Sequence, residues 1–597
     1  MKKWIALAAL AAALTVLPSF PSRAQDPHHA VLLYLSDGVM APSGLRPLVG
    51  YVDGSGRAVD WMFDAVIATS YTLYHHTDGG ITYPRASDIA EYTSQLFDGG
   101  QLANLASTVA GLRTELGDPS YRLLVYLTAP YFSGADANAN TQVLIDGFAA
   151  AGLEELELVG FYWGYAEGLE GSDPAVDIGH INNTADYLHG LGYELIWIPM
   201  NHPDYIDGWL SSCRTLGCRF DRVTLQVGYA FVPSEPERFA DADDRIHTFD
   251  LEGIEIEFGY GSDLDNARMY LLQADRLDWT ENPLTTYYYG TVIAGFPASS
   301  TMREIYDGLY RFISAHPRRS VLPRLAATLT DDTFVDEASD HRTDNHGGAI
   351  YLNMGTNSYP NAQRTYLLFD AGAAIDPASI LAAHLHTSSV YFPYGTVIED
   401  GRLYLVADTG WDEMALTGAT EPAASLLTLI GAHRYVEEEE THGFDVTDEV
   451  RSTLSSGSSL VSFMLRRQTE DGALSEIQLS SKEAGATVAP TLEIVYVPAD
   501  AGTDPDASDT GPDDGSPPDT PDAELPPDMP VDGTPDGVDA PLPDVVPDTV
   551  TDNPVPPADG DDTAADTPLP PPDAADGPPP DEGIGSFEGG CGCALVE

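Results

Sequence analysis

A (β/α)8 barrel of TIM type followed by an all-β sandwich is the architecture this chain predicts, on three observations. Between Ala30 and Val292 eight short apolar runs alternate with helix-sized segments in a domain of roughly 290 residues, which matches such a barrel in count and length. No glycine-rich phosphate turn follows the first run, so an open doubly wound sheet fits less well. From Leu325 to Val497 the pattern becomes short alternating runs separated by Gly, Asn, Asp and Pro, the signature of an antiparallel, jelly-roll-like sandwich.

Taken in order, Lys2 and Lys3 precede an apolar run from Trp4 to Leu17, and Ser22-Arg23-Ala24 has the small-x-small form of a signal-peptidase site. Residues 1–24 therefore read as a signal peptide cleaved after Ala24, and the product as secreted or cell-surface. No later stretch is long and apolar enough to span a bilayer, which predicts no transmembrane segment. The strand-like runs are Ala30 to Ser36, Met62 to Ser70, Tyr121 to Pro130, Glu155 to Tyr165, Tyr193 to Asn201, Arg222 to Phe231, Gly253 to Gly259 and Thr285 to Val292. Helices are expected at Asp88 to Leu116, Ala135 to Ala151, Pro174 to Leu191, Asp204 to Leu216, Pro236 to His247, Asp263 to Trp279 and Met302 to Ser314.

With 597 residues, 43% of them apolar, the chain can bury more than one core. The barrel is expected over 25–320 and the sandwich over 321–498. From Ala499 onward there is no Lys, Arg or His, and Asp-Pro pairs recur, so 499–588 reads as a disordered acidic spacer before a Cys-containing ending at 589–597. The net charge of −65 argues against nucleic acid and anionic membranes as partners, because both need a basic face. Cys213 and Cys218 are close enough in sequence to close a small loop in an oxidising compartment, though spacing alone does not establish the bond. The ending around Cys591 and Cys593 resembles a truncated bacterial surface-sorting tail, which implies attachment to the cell surface; an inert terminus is the alternative.

The chain is organised around Gly253-Ile-Glu-Ile-Glu-Phe-Gly259. Ile254, Ile256 and Phe258 take one face of this strand, and Glu255 and Glu257 take the other. In a half-exposed antiparallel strand such acids would simply face water. In a barrel stave they point inward, where they are costly unless they serve a ligand or each other. The C-terminal ends of the other runs add Asp37, His75, His76, Tyr131, Tyr162, Trp163, Asn201, His202, Gln226, Tyr229 and Tyr289. Aromatic faces beside carboxylates and neutral donors suit a sugar. Hydrolysis of a glycosidic bond needs two carboxylates, and Glu167 and Glu257 are the best-placed pair. The histidines lack a metal-ligand spacing, and Ser36 and Ser70 lack nucleophile-elbow glycines, so no catalytic metal and no serine hydrolase are expected.

Gly160-Phe-Tyr-Trp-Gly-Tyr-Ala-Glu167, Tyr126-Leu-Thr-Ala-Pro-Tyr131, Trp197-Ile-Pro-Met-Asn-His202 and Gly253-Ile-Glu-Ile-Glu257 together resemble a family of secreted bacterial proteins known as domain of unknown function 4855. The resemblance spans roughly Ala30 to Ser314 and implies a glycosidase-like barrel without naming a substrate. Strands 4 and 7 are where retaining barrel glycosidases of clan A carry acid/base and nucleophile. By that likeness Glu167 is the acid and Glu257 the ionised nucleophile, although Ala166 stands where the clan has Asn. A non-catalytic glycan-binding or adhesion protein on the same scaffold is the alternative.

Arg364-Thr-Tyr-Leu-Leu-Phe-Asp370, Trp411-Asp-Glu413 and Phe444-Asp-Val-Thr-Asp-Glu-Val450 resemble the DNRLRE domain, which is similar to secreted carbohydrate-binding modules. That implies a polysaccharide or oligosaccharide partner. No cofactor is expected beyond a structural Ca²⁺ held by Asp331, Asp332 and Asp336, for which plain solvation is the competing reading.

Overall fold

The computed structural model describes residues 27–498 apart from 36–40, 71–72, 74, 78–79, 83–85, 131–135, 165–173, 203–205, 231–232, 234, 259–263, 289, 317–319, 338–340, 357–361, 373–374, 394–397, 437–439 and 469–473. Eight parallel strands close into a barrel: β1 (His29–Tyr34), β2 (Ala65–Thr69), β3 (Leu123–Thr128), β4 (Leu156–Trp163), β5 (Glu194–Trp197), β6 (Arg222–Gln226), β7 (Gly253–Glu257) and β8 (Thr285–Tyr288). Each lies inside one of the eight predicted runs except β1, which starts one residue earlier at His29.

Strand parity builds two apolar layers. Ala30, Leu32, Ile67, Tyr126 and Ile196 meet inside the barrel. Val31, Leu33, Val125, Ile254, Ile256 and Phe258 belong to the core that the surrounding helices cover. Each buried Val, Leu, Ile or Phe among them contributes roughly 1.5 to 3 kcal/mol. Because both faces of every stave are buried, the period-2 alternation is visible only where polar residues enter the lumen.

β7 starts at Gly253, where a Cβ would sit 2.0 Å from the Leu284 carbonyl oxygen. Only glycine lets this strand lie flush on β8, in the register Glu255 to Thr286 and Glu257 to Tyr288. Helices form in every predicted segment, and two more, Pro42–Val49 and Gly290–Gly295, lie outside those predicted. Asp88 to Leu116 divides into Ala86–Leu96 and Gln101–Leu116, because Gly100 adopts φ 70° and breaks the first helix from the second. Cys213 and Cys218 are disulfide-bonded at the end of helix Ile206–Leu216.

Ten antiparallel strands follow: β9 (Arg324–Asp336), β10 (Tyr351–Thr356), β11 (Ala362–Asp370), β12 (Ile380–Tyr391), β13 (Ile398–Val406), β14 (Leu427–Tyr435), β15 (Thr441–Asp445), β16 (Leu460–Arg467), β17 (Ser475–Ser480) and β18 (Thr491–Tyr496). Their order is β9-β18-β12-β17-β10-β11-β16-β13-β14, with β15 paired to β12. β9 pairs with β18 through its first half and with β11 through its second, so the sheet returns on itself around Leu367, Phe369, Phe463, Ile477 and Ile494. The three aspartates expected to hold Ca²⁺ do not converge in one group. Asp332 lies with Glu413 and Glu483, and the Lys482 ammonium already pairs with Glu413. Asp331 accepts the Glu413 N–H and Asp336 the Gln363 amide.

Charged groups tie the two domains together, and Leu381 of β12 packs on the barrel's helix-facing core. Arg434 on β14 reaches Asp243 at 2.5 Å, Asp244 at 2.7 Å and Glu399 at 3.1 Å, and Trp279 donates its indole N–H to Asp243 at 3.1 Å. Asp60 anchors the connection by accepting from Tyr310, Ser320 and the Val321 N–H. Among the described residues no helix is long and apolar enough to cross a membrane.

Candidate functional site

The polar side of β7 faces the lumen, as its alternation predicts. Register sets Glu255 beside Gln226 of β6 and Thr286 of β8, and below them Thr224 and Thr286 join hydroxyls at 2.9 Å across Gly253. Glu255 and Glu257 are 2% and 0% exposed. Tyr34 and Tyr288 share a hydroxyl contact of 3.2 Å on the same side, and Tyr162 packs on that inner cluster.

Among the described residues, Glu257 is enclosed by donors and not by a cation. Its Oε2 accepts the Gly228 N–H at 2.7 Å and the hydroxyl of Tyr270, which comes from helix Leu264–Arg276; the Gln226 amide also reaches it. Gly228 can offer its N–H in this way because it turns the chain at φ 77°, a conformation glycine adopts without strain. Burial pushes the Glu257 carboxyl up to about 7, and the Tyr270, Gly228 and Gln226 donors pull only partly against it. The group is thus poised between acid and carboxylate at neutral pH. That differs from the fully ionised nucleophile expected from the clan likeness, because desolvation outweighs the donors. Burial, and then the charge of Glu257, hold the Tyr270 phenol protonated.

The remaining candidates divide. Gln226 is buried at the end of β6, where its carbonyl accepts the Asn201 N–H. Asn201 is held from the other side: its side-chain oxygen accepts from Arg245 at 3.0 Å, and Arg245 also pairs with Asp207. It therefore props the end of β5, and His202 beside it is half-buried. Trp163 and Tyr229 correct the expectation of sugar-stacking rings. Trp163 has the opposite parity to Tyr162 and packs in the helix-facing core, while Tyr229 lies against Phe239 and Tyr270 at 4.5 and 6.0 Å. His75 and His76 sit in a short strand, His75–Thr77, paired to Gly80–Thr82, and their side chains lie outside the described residues. Asp37, Tyr131, Glu167 and Tyr289 also lie outside them.

Sequence reasoning missed Tyr34 and Tyr270, and offered Tyr288 only within the tyrosine run that ends the eighth stave. The alternation Ala30, Leu32, Tyr34 carries the first. Nothing in the helix pattern marks Tyr270, whose role appears only once Glu257 is next to it.

Family models match two stretches of the chain. Domain of unknown function (DUF4855) covers 140–311, which takes in β4 to β8 but not the first three staves. Carbohydrate-binding module family 96 covers 324–496, the whole antiparallel domain. No curated protein matches the chain. Among solved structures the chain is similar to the catalytic domain of a family GH18 chitinase from the fern Peteris ryukyuensis, at 10% identity over 48% of this chain and 99% of that one, with a TM-score of 0.29. It is similar to a putative alpha-L-fucosidase from Bacteroides thetaiotaomicron at 12% identity, over 50% and 98%, with a TM-score of 0.29. A chain of the tryptophan synthase complex from Pyrococcus furiosus matches at 9% identity, over 48% and 97%, with a TM-score of 0.25. Likenesses this distant reach several chemistries and decide none of them. The carbohydrate-binding match gives the second domain a glycan-related role.

Proposed function

We propose that the protein is exported, binds a polysaccharide through its second domain, and cleaves glycosidic bonds in its barrel with Glu257 and Glu167. The observation that carries the catalytic part is Glu257: a lumen carboxyl at a strand's C-terminal end, ringed by neutral donors and titrating near neutrality. Two carboxyls about 5 to 5.5 Å apart would give a covalent intermediate and retained configuration. A group near 7 suits proton transfer, so Glu257 is assigned as acid/base and Glu167 as its ionised partner, the reverse of the clan likeness.

Export rests on the leader-like first 24 residues, and surface attachment on the Cys591 and Cys593 ending. The jelly-roll description and the DNRLRE likeness of the second domain are part of the same reading. A second reading, glycan binding without turnover, is favoured by the complete enclosure of Glu257.

The test is a polysaccharide panel scored for reducing ends with wild type, Glu257→Gln and Glu167→Gln. Glu257→Gln should retain turnover of aryl glycosides with a good leaving group and be rescued by azide, while Glu167→Gln should lose both. The opposite pattern restores the clan roles. Retention on immobilised polysaccharide with no reducing ends from any of the three supports the binder.

A further inference from the structure

The seam between the domains holds a second constellation, on elements other than β7. Asp278 follows helix Leu264–Arg276 in the barrel, whereas His433 and His442 belong to β14 and β15. All three are buried: Asp278 is 6% exposed and both histidines 0%. His433 Nε2 lies 3.1 Å from His442 Nδ1, His442 Nδ1 lies 2.8 Å from Asp278 Oδ2, and His433 Nε2 lies 3.6 Å from the same oxygen. These are the edges of a tetrahedral face. An ion just off the plane of the triangle would reach every corner at about 2.0 Å, the length of a zinc–nitrogen or zinc–carboxylate bond.

The surrounding contacts aim each donor inward. His433 turns Nδ1 to the Asp275 carbonyl oxygen at 3.2 Å, so that nitrogen carries the proton and Nε2 presents its lone pair to the triangle. Asp278 Oδ1 accepts the Gly443 N–H at 2.7 Å, which fixes the carboxylate and turns Oδ2 to the centre. An independent observation comes from Tyr435, at the end of β14. Its ring lies 4.6 Å from each imidazole, its hydroxyl is close enough to Asp278 to feel the carboxylate charge, and that buried hydroxyl has no hydrogen-bond partner among the described residues. A cation, or a water on it, would satisfy the oxygen.

We propose that Asp278, His433 and His442 form an interdomain site for a divalent transition-metal ion of the zinc type, beside the Tyr435 ring. Two imidazoles and one carboxylate are the donor set of that class, whereas Ca²⁺ and Mg²⁺ prefer all-oxygen shells. Because one ligand comes from the barrel and two from the antiparallel domain, the ion would fasten one domain to the other and would act apart from any chemistry at Glu257.

The test uses the full chain, stripped by chelator and re-equilibrated with Zn²⁺ or Co²⁺ alone. One equivalent per chain should bind, raise the melting temperature, and with Co²⁺ give the visible bands of a four-coordinate nitrogen and oxygen site. His442→Ala should weaken that binding at least about 100-fold, since even outer-shell changes cost up to that much. The same variant corrects for cations held loosely by the acidic surface. If His442→Ala does not fold, the Co²⁺ spectrum and the chelator response of the wild type still decide. The proposal is overturned if wild type takes up no more metal than His442→Ala, or if it gives no four-coordinate Co²⁺ spectrum and melts identically with and without Zn²⁺. The triad is then a hydrogen-bonded network in which the His442 Nδ1–H is shared by its two neighbours.

Discussion

At the end of β7 and at the seam between the domains, acidic side chains are equally buried, Glu257 at 0% and Asp243 at 2%, yet their partners differ in kind. Asp243 meets the Arg434 guanidinium and an indole N–H. Glu257 meets a phenol, a backbone amide and a side-chain amide. Burial raises the Asp243 carboxyl as well, but there the charges of His247 and Arg434 pull against it, and the desolvation cost of the pair is recovered only while both members stay in place. Neutral donors leave the proton free to come and go near neutral pH. The first arrangement holds surfaces together; the second can do chemistry.

The largest effect is expected from dividing the seam. The composition shift near residue 320 suggests that a fragment of residues 321–498 folds alone, but cutting there removes Asp243 from Arg434 and Asp278 from His442. Both fragments should melt well below the intact chain in calorimetry, with a loss exceeding the roughly 3 to 5 kcal/mol of one broken buried pair. A 321–498 fragment that melts cooperatively at the temperature of the whole protein would mean that the seam is incidental. Next in size is Arg434→Ala, which strands Asp243 and should cost about 3 to 5 kcal/mol in urea unfolding. A change below about 1 kcal/mol would erase the contrast with β7.

Acidity sharpens the other side of the comparison. The folded-state pKa of Glu257 is raised from 4.5 to about 7, so its contribution to stability is fully present below pH 4.5 and is lost as the pH rises through 7. Asp332, also pushed up to about 7 by burial, acts in the same direction. Between pH 5 and pH 8 the wild type should lose about 2 kcal/mol more than Glu257→Gln does. Parallel profiles for the two proteins would show that Glu257 stays ionised throughout. The smallest effect belongs to Tyr270→Phe, which removes one donor to the carboxylate. Stability should fall by about 1 to 2 kcal/mol, and the Glu257 titration, followed by carbon NMR of the carboxyl, should move upward. A downward movement would mean that the phenol does not favour the anion.

These contrasts were unevenly legible in the sequence. The eight staves could be found because each apolar run is short and bounded. β7 stood out because two acids alternate with Ile254, Ile256 and Phe258. Trp163 could not be separated from Tyr162 in the same way, since a stave buried on both faces shows no alternation among its apolar residues. The enclosure of Glu257 depends on Tyr270 and Gly228, which come from a helix and a turn with no pattern of their own. The seam was hidden for another reason: His442 and Asp278 are 164 residues apart, on opposite sides of the domain boundary, and only folding makes them neighbours.

Gly253 carries a consequence for how this barrel can change over generations. Substitutions at 255 and 257 exchange one side chain in the lumen and leave the stave where it is, so new specificities there are reachable in single steps. A substitution at 253 meets the Leu284 carbonyl at once and shifts the whole stave, together with both acids. Innovation is open at two positions and closed at the third, and the closed one has no side chain at all.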